Sequence, residues 1–184
     1  MMQKEKKSKN ELNTSKKIRV FGIVKESIVD GPGLRYVVFT QGCLFHCEDC
    51  HNKESWDLDK GYFVEINDII KEIRQNPLLR GLTLSGGEPT LQAKMCLDLA
   101  RRVRKMGLDV VLYSGHTYEE IIINKDLSKL INECDYLIDG KYDHSMRSLC
   151  LLFRGSTNQR IIDLNKTRKN SNVTLYNIEI EQSI

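Results

Sequence analysis

No stretch of this sequence approaches the ~20 apolar residues of a membrane span, which excludes a helical membrane protein. Nothing in its first seventeen residues supplies the apolar run of a secretory leader either. That segment holds six lysines and two glutamates and continues polar to Lys17. It carries so few apolar groups that it cannot order itself by burial and is expected to be a flexible tail. Because the whole chain has a net charge of only +3, the remainder lies near −1, so no basic body exists to grip a polyanion. A nucleic-acid partner and a membrane are therefore not expected, and a cytoplasmic location is. Internal repeats are absent, as are low-complexity stretches beyond the tail.

What remains is ordinary for a globular domain: 40% apolar and 29% charged residues in a chain of 184. That length suits one core, here residues 18–184 after a tail of 1–17. From Ile18 the pattern alternates between strands and helices. Strands are expected at Ile18–Val24, Arg35–Gln41, Gly81–Ser85, Asp109–Tyr113 and Tyr136–Asp139, with a further candidate at Val173–Ile178. Between them, Glu65–Arg74 places Ile66, Ile69, Ile70 and Ile73 at helical spacing. Leu91–Met106 reads as a helix that Thr90 could cap. Thr117 and Glu120 form a capping box for a helix through Ile123, and Asp126–Cys134 is a further amphipathic helix. Strands separated by helices mean α/β with a mainly parallel sheet, and right-handed crossovers would bend it into a partial (β/α) barrel.

Two segments follow strand ends, where sites assemble in such folds. The first, Cys43-Leu-Phe-His-Cys47-Glu-Asp-Cys50, is C-x3-C-x2-C on a loop. Three thiolates on a four-iron cluster would leave one iron open to a small molecule. Structural zinc with His46 or His51 as fourth ligand is the competing reading. It lacks the second short ligand motif that zinc sites usually pair with the first. The other cysteines, Cys96, Cys134 and Cys150, read as core. The second segment, Ser85-Gly86-Gly87-Glu88-Pro89, sets two side-chain-free positions beside a carboxylate, which suits a cationic amine better than a phosphate. Alone, it reads as a tight strand-to-helix turn with a glutamate on the helix dipole.

Together the two segments resemble the radical S-adenosylmethionine superfamily. Ser27-Ile-Val-Asp-Gly-Pro-Gly-Leu-Arg35, Gln41-Gly-Cys43 and Cys50-His51-Asn52 through Trp56 resemble glycyl-radical-enzyme activases within it. Leu137–Lys141 and Arg154-Gly-Ser-Thr-Asn-Gln-Arg-Ile-Ile-Asp-Leu164 resemble the branch that serves anaerobic ribonucleotide reductase. The resemblance spans roughly Ile18 to Leu164. It implies that Cys43, Cys47 and Cys50 ligate three irons of a 4Fe–4S cluster and that S-adenosylmethionine chelates the fourth. It also implies that Gly86, Gly87 and Glu88 hold the amino end of that molecule, with backbone around Asp49, Cys50 and His51 meeting its adenine. The reduced cluster would cleave the sulfonium to a 5′-deoxyadenosyl radical, which would take hydrogen from a glycine of the large reductase subunit. A reductant such as flavodoxin is then expected as a second partner. Asp49 departs from the aromatic residue common before the third cysteine, so only its backbone is carried over. Thr157 stands where a serine is usual. Activation of another glycyl radical enzyme, such as pyruvate formate-lyase, and a small zinc-binding interaction module remain as alternatives.

Other polar residues carry two readings each. Asp30 and Arg35 could place a partner's glycine loop or form a salt bridge beside a turn. Asp139 and Lys141 lie at a strand end, His116 reads as a loop histidine, Trp56 as packing, and Arg154, Asn158 and Gln159 as contacts to cofactor or partner.

Overall fold

The computed structural model describes residues 16–177. The expected tail lies outside the described residues up to residue 15; Lys16 and Lys17 already belong to the fold, Lys17 opening the first strand. Twelve elements follow in chain order: β1 Lys17–Ser27, β2 Arg35–Thr40, β3 Tyr62–Glu65, α1 Ile66–Gln75, β4 Gly81–Gly86, α2 Ala93–Arg104, β5 Asp109–Ser114, α3 Tyr118–Ile123, α4 Lys125–Ile131, β6 Tyr136–Asp139, β7 Arg160–Asp163 and α5 Leu164–Asn170.

The strands form one seven-stranded sheet in the order β3-β1-β2-β4-β5-β6-β7. Its centre, β2-β4-β5-β6, is parallel, and β1, β3 and β7 attach antiparallel at the two edges. The sheet is thus an open α/β array, a partial barrel rather than a closed one. Among the described residues no helix is long and apolar enough to cross a membrane.

Residue alternation decides which face is which. Val38, Leu84, Leu112, Leu137 and Ile162 are in register across the sheet and point to one side. There the isoleucines of α1, Leu99, Ala100 and Val103 of α2, Ile121, and Leu130 cover them in one core. The opposite parity, Val111, Ile138 and Ile161, forms a smaller cluster with Tyr113, Tyr136, Phe153 and Tyr176 on the other face. With the helices on one face, the site can occupy the other.

Several expectations change in detail. Thr90 does not cap α2: a turn of 3-10 helix at Pro89–Gln92 intervenes, capped by Glu88, and Gln92 precedes α2 with its side chain bonded to Arg19 and Gln41 instead of capping the helix. The Thr117–Glu120 capping box is formed in full. Helix α4 starts at Lys125 under the Asn124 side chain and ends at Ile131. Strand β3 and the pair β7–α5 add to the expected elements. Of the candidate strand Val173–Ile178, Leu175 makes one isolated bridge to Ile162, and Ile178 lies outside the described residues. Cys96 and Cys134 are fully buried, but Cys150 is exposed, because its apolar run forms a hairpin tip instead of core.

Candidate active site

Strand β2 delivers the chain to Gln41, and the cysteine loop closes on its own returning limb. The Gly42 and Cys43 amides donate to the carbonyls of Ser55 and Trp56 at 2.7 and 3.0 Å. The Gln41 side-chain amide donates to the carbonyls of Glu54 and Asp57. Inside the loop His46 and Asp49 both adopt left-handed backbone, at φ 49°, a conformation that costs non-glycine residues energy and tightens the curl. The Asn52 amide donates to the Cys50 sulfur at 3.4 Å, the kind of bond that tunes a bound cluster.

Aromatic contacts pin this loop to the far half of the sheet. The Phe45 ring fills the space a side chain at Gly115 would need and meets the His116 ring edge-on, while the Lys141 ammonium lies 4.9 Å from its centre. His51 packs against Tyr142, and His46 against Trp56.

The Gly-Gly-Glu segment is bolted to the start of the same loop. The Gly87 amide donates to the Thr40 carbonyl at 2.8 Å, and the Glu88 amide to Gly42 at 2.7 Å. Gly86 has φ 104°, and a Cβ at Gly87 would run into the Gly42 carbonyl, so both positions require glycine for backbone approach alone. Glu88, 2% exposed, accepts at Oε1 from the Thr90 amide and hydroxyl and from the Ser114 hydroxyl, and at Oε2 from the Gly115 amide. Its carboxylate therefore joins the ends of β4 and β5, and Oε2 keeps the larger share of free lone pairs. Ser114 and Gly115, which make this junction, carry no sequence signal beyond their place at a strand end.

Cys43, Cys47, Cys50, His51, Gly86, Gly87 and Glu88 all border one cavity of about 390 Å³. Phe39, Ser85 and Tyr113 also line it, so it extends from the strand ends onto the helix-free face. Asp30 closes one side, and Lys141, Arg147 and Arg154 the other. Asp49 alone of the expected site residues does not border the cavity. Its carboxylate pairs with Lys53 at 2.9 Å and His144 at 3.4 Å, and Lys53 foremost, then His144, lowers its pKa.

Six other polar residues find structural partners. Arg35 is fully buried and pairs with Asp109, not Asp30, while bonding Thr83, Pro32 and Leu82. Asp30 accepts from Ser27 at 2.6 Å, and its carbonyl accepts from Thr83. Asp139 is spent on Arg160 and the Tyr118 amide. Gln159 and Asn158 bond the Gly140–Lys141 backbone, and Arg154 bonds the Gln159 carbonyl.

The donor set fits an iron–sulfur cluster better than one ion. Three sulfurs border a cavity, and among the described residues no three His, Cys, Asp or Glu groups converge on a point where a single metal ion would sit. His46 and His51, the fourth ligands a zinc site would need, pack on Trp56 and Tyr142. Burial, foremost, pushes the Cys43 and Cys47 thiols above their ordinary range, so a cation must displace their protons for them to bind as thiolates.

Residues 29–162 match the model of the family described as 4Fe-4S single cluster domain. The anaerobic ribonucleoside-triphosphate reductase-activating protein of Salmonella typhi is 33% identical over 72% of this chain and 90% of its own length. That of Enterobacteria phage T4 is 35% identical over 72% of this chain and 86% of its own. This chain belongs to the family of these activating proteins. Pyruvate formate-lyase 1-activating enzyme of Escherichia coli is 32% identical over 80% of this chain but only 61% of its own length. As a member of the activating-protein family the chain is an enzyme that uses a 4Fe–4S cluster.

Proposed function

We propose that this protein installs a glycyl radical on anaerobic ribonucleotide reductase. The observation that carries the reading is the meeting of the three cysteines and the Gly-Gly-Glu segment around one cavity. In this reading Cys43, Cys47 and Cys50 each hold one iron, and the fourth is left for S-adenosylmethionine. A reduced cluster bound there would supply one electron to the sulfonium, which would break to methionine and a 5′-deoxyadenosyl radical able to take a hydrogen atom from the partner's glycine. Gly86 and Gly87 leave backbone bare beside the amino group of the methionine moiety, and Glu88 Oε2 accepts from an N–H of that amine. Backbone at Cys50 and His51 takes the adenine, with Asp49 turning the loop from outside. Phe39, Tyr113 and Phe45 keep water from the reacting centre.

A reductant such as flavodoxin supplies the electron, and the location is cytoplasmic. The reductase is preferred over pyruvate formate-lyase as partner because Arg154–Leu164 resembles the reductase branch and the match spans nine-tenths of the Salmonella reductase activator. The deciding experiment is anaerobic reconstitution with iron and sulfide, reduction with S-adenosylmethionine, and assay of 5′-deoxyadenosine. Glycyl-radical detection on each purified partner enzyme follows. Formation that depends on Cys43, Cys47 and Cys50, with a radical on the reductase, supports the reading. A colourless zinc protein that yields no 5′-deoxyadenosine would replace it with the binding module.

A further inference from the structure

The cavity meets solvent between two loops, and both present apolar side chains there. Val29 and Leu149 border the cavity while 70% and 83% exposed. Ile28 beside the first is 74% exposed, and Leu152 beside the second 44%. Single exposed apolar groups are common on any protein surface, but a set collected at the mouth of a site marks a surface that another molecule covers.

Both loops are tied at their bases. The first is fixed by the Ser27–Asp30 bond and by Thr83 donating to the Asp30 carbonyl. The second is a hairpin. Arg147 bridges to Ser156, the Thr157 amide donates to Met146, and the Ser148 amide donates to Gly155. Its descending limb is pinned by the Tyr113 hydroxyl donating to the Phe153 carbonyl at 2.7 Å, with Phe153 packed on the sheet. Since the bases of the loops are tied down, their apolar tips stay in water with nothing of the described chain over them.

We infer that Ile28 and Val29 on one side, and Leu149 and Leu152 on the other, form a lip that grips the glycine-bearing loop of the protein substrate through large apolar residues flanking the glycine. The inference rests on the function proposed above and names the part of the partner that the same site takes. Its chemical reason lies in glycine itself. The reacting residue has no side chain to recognise, so selection must fall on its neighbours. Those neighbours come to rest at the rim when the glycine reaches the cavity.

The test uses the reconstituted full-length enzyme carrying Ile28→Ser with Leu152→Ser, two lip residues that do not border the cavity. Ile123→Ser is the control; Ile123 is 84% exposed, lies in α3 on the helix-covered face and does not border the cavity. Two quantities are read: 5′-deoxyadenosine formed with chemical reductant and no partner, and the reductase concentration giving half-maximal glycyl radical. The double variant is expected to keep partner-free cleavage within about twofold while its half-saturating reductase concentration rises about tenfold or more, and the control to change neither. Unchanged half-saturation overturns the lip. So does loss of partner-free cleavage in the double variant, which would assign these residues to the cofactor pocket. A wild-type dimer that the double variant converts to monomer would make a second copy the occupant and overturn it as well. Absence of 5′-deoxyadenosine from the wild type would fail the underlying function instead, and the lip with it.

Discussion

At the scale of single residues, Glu88 has two tasks that can be separated. Four donors converge on its carboxylate, and an amide in its place would turn an NH2 toward one of them. Glu88→Gln is expected to lower the stability of the cluster-free protein by about 2 kcal/mol, read as a shift in urea midpoint. A role confined to ligand binding would leave that midpoint where it is. Gly87→Ala must push the Gly42 carbonyl away and with it the entry to the cysteine loop. It is expected to cost about 1–3 kcal/mol and to reduce iron taken up per chain, measured together on one preparation. Cys47→Ala should abolish cluster-dependent cleavage, since two thiolates do not hold the cluster. Full 5′-deoxyadenosine formation in that variant would remove Cys47 from the ligand set.

At the scale of elements, the buried Arg35 ties the starts of β2, β4 and β5 together through Asp109, Thr83 and the Leu82 carbonyl. Burial foremost lowers its pKa, against the opposing pull of Asp109. Arg35→Met leaves carbonyls and a carboxylate short of donors in the sheet and is expected to destabilise by about 3–5 kcal/mol. Arg35→Lys should recover little, because one ammonium cannot reach a fan of acceptors that a guanidinium spans. In that variant radical installation should fall in proportion to the folded fraction seen by circular dichroism. A larger fall would restore the partner-placement reading of this residue. The sequence pattern located α1, β4, β5 and β6 to within a residue or two because each carries a full apolar period. It passed over β3 and β7, the two edge strands, which pair on one side only and are strands because β1 and β6 offer them an edge.

At the scale of the molecule, stability should be confined to a band of pH. Glu72, bonded by Tyr36 and Lys25, and Glu119, bonded by Arg160, have folded pKa values below the ordinary carboxylate range. The unfolded chain binds their protons more readily, so the stability they contribute is present above roughly pH 4 and is lost as pH falls through their folded values. Burial raises the Cys96 and Cys134 thiols instead. Their contribution is intact below the unfolded thiol pKa, about 8.5, and is lost as pH rises from there toward their folded values. The urea midpoint of anaerobic, cluster-free protein should therefore be flat between roughly pH 5 and 8 and decline on both sides. A midpoint still rising above pH 9 would contradict this.

By itself the sequence located the two motifs and most of the elements. Cys43, Cys47, Cys50 and the Gly86–Glu88 segment are local spacings, and local spacing survives without a fold. Only the tertiary structure decided which distant groups face them. Gly115 had to come under Phe45, and Ser114 under Glu88, through pairing of β4 with β5, and no local pattern encodes such a pairing. The same reason explains Asp109 as the partner of Arg35, Cys150 on a hairpin tip instead of in the core, and Asp49 on the outer side of the cysteine loop. Burial and partnership depend on contacts across the sheet, whereas helix periods and ligand motifs are written within a few residues of one another.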